Sequence, residues 1–159
     1  DEVCLQDRGL TSVPSRLGED RPGRVRPRKI DLSNNAIKSL SGLPQSVVQL
    51  KAANNLLRDW EGINTLPRLQ RLDLSHNQLH QLGPFGICCA IRVLRLRGNC
   101  IGTLAGIEGA ARTLIELDVS DNVLRGVDDI QPLTGCTRLT SVRHPAIAAR
   151  LKAGRELCN

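Results

Sequence analysis

The sequence predicts an α/β solenoid, a chain wound into short coils that repeat one pattern of buried residues. Leu72 and Leu74 alternate with polar Asp73, as residues of a short strand would, and Asn77 then interrupts the alternation. The same residue types return 22 positions further along, between residues 94 and 107. A period this short indicates units that must stack on one another to bury a shared core.

The repeat pattern divides the chain into about seven units. Their first inward-facing residues are predicted at Val3, Ile30, Leu50, Leu72, Leu94, Leu117 and Leu139. The steps between them are 27, 20, 22, 22, 23 and 22 residues, and the first and last units are degenerate. We expect a solenoid over residues 1–145 and a C-terminal cap over residues 146–159. Because the sequence begins at Asp1 and lacks methionine, we also expect a domain cut from a longer chain, or a processed one.

Asparagine recurs at one place in the pattern, five residues after the first inward residue. The positions are Asn35, Asn55, Asn77, Asn99 and Asn122. A chain that turns sharply after a strand exposes backbone N–H and C=O groups, and an amide side chain can satisfy both kinds. The alternative is five unrelated surface turns, which also favour asparagine. The fixed offset favours an internal structural ladder.

The segments LDLSHNQL, LRLRGNCI, LDVSDNVL and IDLSNNAI resemble leucine-rich repeats, and the 22-residue step resembles the sds22-like subfamily. The resemblance implies a horseshoe with a parallel sheet on its concave side and short helical, 3₁₀ or irregular turns on its convex side. The segment after His144 resembles the Asn-Pro and short helix that close axonemal dynein light chain 1 and U2 A′-type domains. That likeness implies a C-terminal capping helix.

Composition and motifs point away from enzymes and membrane proteins. The chain is 40% hydrophobic, has no apolar run near the ~20 residues of a membrane span, and contains no glycine-rich phosphate loop or catalytic signature. His76 and His80 flank a turn, so we predict no metal site, and we predict no cofactor. Six cysteines without paired clusters at the ends favour an intracellular protein, cytoplasmic, cytoskeletal or ciliary, with a nuclear location left open.

A basic insertion at residues 18–29 accounts for the long first step of 27 residues. Its charged residues are Arg21, Arg24, Arg26, Arg28 and Lys29. The prolines and glycines between them predict an exposed loop. It is either a patch for an acidic partner or phosphate backbone, or a solvated insertion, and we favour the second.

Strand residues between the leucines should face solvent on the concave side. The middle position holds Cys4, Asp31, Lys51, Asp73, Arg95, Asp118 and Thr140 in successive units. The five central charges alternate in sign, so neighbouring strands would neutralise one another and this row is expected to be structural. In particular, we expect Arg95 to interact with both Asp73 and Asp118.

Two other arginines on this face have no acidic lateral neighbour in the predicted register. Arg71 lies between Gln49 and Val93, and Arg97 lies between Ser75 and Ser120. Arginine is enriched at interface hot spots, so both are candidates for partner binding. The complete predicted contact set is Arg71, Arg97, Arg95, Asp73, His76, Lys51 and Asp118.

We therefore predict a non-enzymatic protein-binding module whose partner has an acidic contact surface. Cytoskeletal or ciliary scaffolding is the first expectation by likeness, and phosphatase regulation is the second. The alternative is a ribonucleoprotein component resembling U2 A′ that binds a protein and RNA, which the net charge of +6 favours.

Overall fold

Within the residues that the structure describes, seven short parallel strands form one open sheet in chain order. The computed structural model describes residues 2–17, 26–83, 85, 90–144 and 147. The strands are β1 (Glu2–Cys4), β2 (Lys29–Asp31), β3 (Gln49–Lys51), β4 (Arg71–Asp73), β5 (Val93–Arg95), β6 (Glu116–Asp118) and β7 (Ser141–Arg143). Each repeat contributes one three-residue strand, so the molecule is a leucine-rich repeat solenoid of the horseshoe type.

The register aligns equivalent residues of successive repeats. Leu50 pairs with Leu72, and Leu72 pairs with Leu94. Because the three leucines are in register, their side chains point to the same side of the sheet, and all three are almost completely buried there. Short 3₁₀ turns lie on the convex side, as expected, at Ser15–Leu17, Ile63–Thr65, Ile107–Ala110 and Gln131–Gly135. The polar strand residues are left on the outer, concave face.

The two aromatic residues fill the core between neighbouring coils. Trp60 and Phe85 are 8% and 2% exposed, with their ring centroids 5.3 Å apart in an edge-to-face arrangement. The Trp60 indole N–H donates to the backbone carbonyl of Gln81 at 2.9 Å, which satisfies the buried polar group. Neither aromatic side chain is available as a binding surface.

The seventh unit begins three residues later than the sequence predicts. We expected Leu139 to be its first inward residue, with Thr140 beside Asp118. In the structure Arg143 pairs with Asp118, and Thr140 precedes the strand. The step into the last unit is therefore 25 residues, from residue 117 to residue 142.

A second buried leucine position explains this error. Leu139 lies three residues before the first inward residue of its unit, as Leu69 and Leu114 do in theirs, and all three are buried. The pattern places leucine at both positions, so a degenerate unit can be aligned on the wrong one. In this register His144 lies two residues after Val142, at the position that Leu74 occupies in its repeat.

Val127 also departs from the predicted pattern. It lies ten residues after the first inward residue of its repeat, where Leu82 and Leu104 are buried in theirs, but it is 53% exposed. The Asp129 carboxylate accepts hydrogen bonds from the backbone N–H groups of Gly126 and Arg125, each at 2.8 Å. These two bonds hold a local turn beside Val127, and they lower the pKa of Asp129.

Two predicted features lie largely outside the described residues. They are the capping helix within residues 146–159, of which Ile147 is described and buried, and the Arg21 and Arg24 part of the basic insertion.

Candidate functional site

The strands are followed by an internal row of asparagine side chains. Asn77 donates from Nδ2 to the carbonyls of Ala52 and Leu74 at 2.9 and 3.0 Å, and its Oδ1 accepts from the N–H of Leu57 at 3.0 Å. One amide thus joins its own coil to the preceding one. The same kind of bridge is made by Asn35, Asn55, Asn99 and Asn122.

The residue before each ladder asparagine adopts a left-handed backbone conformation. The row comprises Asn34, Asn54, His76, Gly98 and Asp121, with φ between 54° and 67°. Asparagine, aspartate and glycine tolerate this region, and histidine is also enriched there. Gly98 has a further constraint, because a Cβ there would lie 2.5 Å from Nδ1 of His76. The sequence analysis missed this row, although the recurrence of turn-compatible residue types could have revealed it.

Three aspartates end their strands by capping the turn that follows. Asp31, Asp73 and Asp118 each accept a hydrogen bond from the backbone N–H two residues later, at 3.0 to 3.1 Å. Burial raises the pKa of Asp31, but hydrogen bonds from Ser33 and Gln6 and the charge of Lys51 outweigh it, so the pKa lies below its usual value. We call these three aspartates and the five ladder asparagines the asparagine rim.

The central charges pair across the sheet, but not always with the expected neighbour. Lys51 lies 3.5 Å from Asp31, across the sheet as predicted. Arg95 was expected to interact with Asp73 and Asp118, yet its ion pair is with Glu116 at 3.9 Å. Glu116 begins the neighbouring strand, so the contact is diagonal. Asp118 instead pairs with Arg143 at 3.9 Å, a contact that the misplaced seventh unit concealed.

Arg97 does have an acidic neighbour, which corrects the prediction. Its Nε donates to the Asp121 carboxylate at 2.7 Å. This hydrogen bond and the charge of Asp121 raise the pKa of Arg97. The strand register omits Asp121, because that residue belongs to the left-handed turn beyond the strand.

Arg71 differs from these cations. Its side chain is exposed, and among the residues that the structure describes it forms no ion pair. Gln49 and Val93 flank it in the sheet, as the sequence predicted. Arg71 lines a depression of about 630 Å³ on the concave face, which Asp73 and Arg95 also line.

The remaining described candidates are Arg26, Arg28, Lys29 and His76, of which Arg28 and Lys29 line a depression. Arg28 and Lys29 line a second depression, of about 600 Å³, together with Arg71. Lys29 lies 3.8 Å from Glu2, while Arg26 lies beyond that depression and is exposed. His76 is exposed on the left-handed row. Within the described residues, no group of three or more metal-ligating side chains comes together.

Sequence comparisons find the repeat but match limited parts of longer proteins. The Leucine Rich Repeat family model matches residues 68–90. Protein NUD1 of Saccharomyces cerevisiae is 33% identical over 106 residues, which cover 65% of this chain and 12% of NUD1. Human geranylgeranyl transferase type-2 subunit alpha is 33% identical over 84 residues, covering 49% of this chain and 15% of that protein. Human vasorin is 44% identical over 86 residues, covering 52% and 13% respectively.

Solved structures share the fold at low sequence identity. A leucine-rich repeat protein of Leptospira interrogans superposes with a TM-score of 0.72 and 22% identity, covering 88% of this chain and 36% of that one. Internalin C2 of Listeria monocytogenes gives a TM-score of 0.67 and 24% identity, with coverages of 75% and 52%. No helix in the described residues has the length and apolar character that a membrane crossing requires.

Proposed function

Because this chain is a leucine-rich repeat protein, we propose that it is a non-enzymatic module that binds another protein on the concave face of its sheet. Such folds typically serve as interaction scaffolds, and function must be argued from the site. The observation that carries the proposal is Arg71, whose exposed guanidinium lines a depression of about 630 Å³ on that face and forms no ion pair within the described residues.

Charge and shape support a protein partner with an acidic contact surface. The depression is open and is lined by residues from β3 to β7, so it suits an elongated surface better than an enclosed small molecule. A carboxylate placed against Arg71 could accept two parallel hydrogen bonds from its guanidinium. No ion pair of Arg71 within the described residues has to break when that contact forms.

A pull-down with matched variants tests the proposal. Arg71→Glu is compared with Arg58→Glu, which makes the same change of charge at an exposed residue whose Nε donates to Gln78, away from the depression. Partners identified by mass spectrometry should be lost with Arg71→Glu and retained with Arg58→Glu. Loss in both, or in neither, argues against a concave binding face.

RNA binding, as part of a ribonucleoprotein, is the second candidate, and the net charge of +6 favours it. Phosphate neutralisation releases counterions, so RNA affinity should fall steeply with salt on a log-log plot. A shallow slope would favour the protein interface.

The finer roles remain part of the proposal: cytoskeletal or ciliary scaffolding first, phosphatase regulation second, in an intracellular compartment. The described cysteines, Cys4, Cys100 and Cys136, are free, which suits reducing conditions. Burial is the main cause that raises the pKa of the Cys136 thiol, and the negative charge of Glu108 raises it further. Denatured protein without reductant should yield six reactive thiols, and any smaller reproducible count would indicate a disulfide.

A further inference from the structure

The unpaired cations of the concave face lie together where the strands begin. We call Arg28, Arg71 and Arg92 the basic rim. Arg28 and Arg92 directly precede β2 and β5, and Arg71 opens β4. All three are exposed, and none forms an ion pair within the described part of the chain. By contrast, Lys51, Arg95 and Arg143 at the strand ends, and Arg97 two residues beyond β5, are all paired with acids.

Two backbone carbonyls at the basic rim already accept hydrogen bonds within the solenoid. The Arg28 carbonyl accepts from the N–H groups of Val48 and Gln49 at 2.7 and 3.0 Å, and the Arg92 carbonyl accepts from Ile115 and Glu116 at 2.8 and 3.0 Å. A partner therefore cannot add a strand here by bonding to these carbonyls. We therefore expect recognition at this rim to use side chains, among them the three exposed guanidinium groups of the basic rim.

Two depressions join along this rim. The one of about 600 Å³ contains Arg28 and Arg71, and the one of about 630 Å³ contains Arg71 and Arg92. Gln49 and Gln70 line both, as Arg71 does. The resulting channel crosses the strands, with amide side chains beside the guanidinium groups to bond the peptide groups of a bound chain.

We propose that this channel binds an extended acidic peptide segment with two acidic side chains three residues apart. The proposal rests on the proposed protein-binding function and names the chemistry of the partner. Parallel strands are ~4.8 Å apart, so β2 and β4 place Arg28 and Arg71 roughly 10 Å apart across the sheet. A polyproline II segment rises ~3.1 Å per residue with three residues per turn. It therefore presents side chains three residues apart on one side, at about the required spacing.

Fluorescence anisotropy with two labelled peptides of identical composition tests this spacing. One contains Glu-Pro-Pro-Glu in a proline-rich background, and the other contains Glu-Glu-Pro-Pro. The first should bind about fivefold more tightly, because it can engage two guanidinium groups at once. Equal affinities for the two peptides would overturn the proposal that the channel binds an extended segment with acids three residues apart.

Two triple variants separate the basic rim from overall charge. The rim variant is Arg28→Glu, Arg71→Glu and Arg92→Glu. The control variant is Lys38→Glu, Arg58→Glu and Arg125→Glu, which changes exposed cations three residues after ladder asparagines. Both lower the net charge equally. Affinity for the spaced peptide should fall about tenfold or more in the rim variant and stay near the parent value in the control. Equal losses would mean nonspecific attraction and overturn the proposal.

The remaining outcomes distinguish this inference from the proposed function. If pull-down partners depend on Arg71 but the spaced peptide does not bind, the concave face is a binding site and the acidic-segment inference is wrong. If the peptide binds through the rim but Arg71→Glu loses no pull-down partner, the proposed function fails and the channel's acidic preference stands. Tighter, rim-dependent binding of a short single-stranded RNA would assign the rim to nucleic acid and overturn the inference. Thermal melts of both triple variants check that each is folded.

Discussion

The two rims of the sheet use their polar side chains in opposite ways. At the asparagine rim, Asn77 and Asp73 direct their hydrogen bonds to the backbone of the solenoid itself. At the basic rim, Arg71 is exposed and has no ion pair within the described residues. The asparagine rim is periodic and the basic rim is not. This difference indicates that the buried amides of the ladder maintain the fold, and it is the reason that we expect the cations of the basic rim to contact a partner.

The largest expected effect is at the asparagine rim. Asn77→Ala removes a side chain that is 7% exposed and leaves the carbonyls of Ala52 and Leu74 and the N–H of Leu57 with one partner fewer. We expect the free energy of unfolding to fall by ~1–3 kcal/mol. Urea denaturation followed by circular dichroism measures this loss.

Gln78→Ala is the matched control, because Gln78 is the next residue and its side-chain oxygen accepts a single exposed hydrogen bond, from Arg58. Its loss of stability should be clearly smaller. Equal losses at the two positions would contradict the structural role assigned to the ladder.

At the basic rim the expected effect is on binding. Arg71→Ala should weaken the partner found by pull-down by ~2 kcal/mol, which is about 30-fold in Kd, if Arg71 is an interface hot spot. Arg97→Ala should weaken it less, because Asp121 already holds the Arg97 guanidinium at 2.7 Å. Calorimetric titration of both variants gives the comparison. Equal losses would show that internal pairing does not decide which arginine binds.

Much of the fold was predictable because the core depends on residue type at a fixed spacing. Leu72 and Leu94 pair as the 22-residue step requires. The seventh unit was misplaced because leucine occurs at two buried positions of the pattern, and the pairing of Leu117 with Val142 shows that Leu139 occupies the earlier one.

The candidate site was less predictable because the strand register predicts only those neighbours that lie directly opposite on the adjacent strands. It omits the diagonal contact between Arg95 and Glu116 and the turn residue Asp121 that pairs with Arg97. Both depend on the path of a flexible side chain. Arg71 was identified from its lateral neighbours, and its role in binding remains a prediction.

A smaller effect is expected within the row of alternating charges. Arg95→Glu removes the ion pair with Glu116 and places a third acid between Asp73 and Asp118 in the sheet register. We expect a loss of ~1 kcal/mol at low salt, reduced at high salt by screening. Arg58→Glu makes the same change of charge outside the sheet and should lower the free energy of unfolding by less. Chemical denaturation of the two variants measures the difference. A salt-independent loss would argue against repulsion as the cause.

The smallest effect concerns acid stability at the asparagine rim. The pKa of Asp31 is lower in the folded chain than its usual value of 3.8, so its contribution to stability is present above that value and is lost as pH falls through the folded pKa. Asp31→Asn can still accept the hydrogen bond from Ser33 but loses the charge that faces Lys51. We expect this variant to lower the free energy of unfolding by less than ~1 kcal/mol at neutral pH. Below that pH its stability should fall less steeply with acid than that of the parent. Asp128→Asn, at an exposed aspartate, makes the same change of charge and is the matched control. Denaturation midpoints measured from pH 7 down to pH 2 would contradict the assignment if both variants follow the parent, because Asp31 would then bind its proton equally well in the folded and unfolded chains.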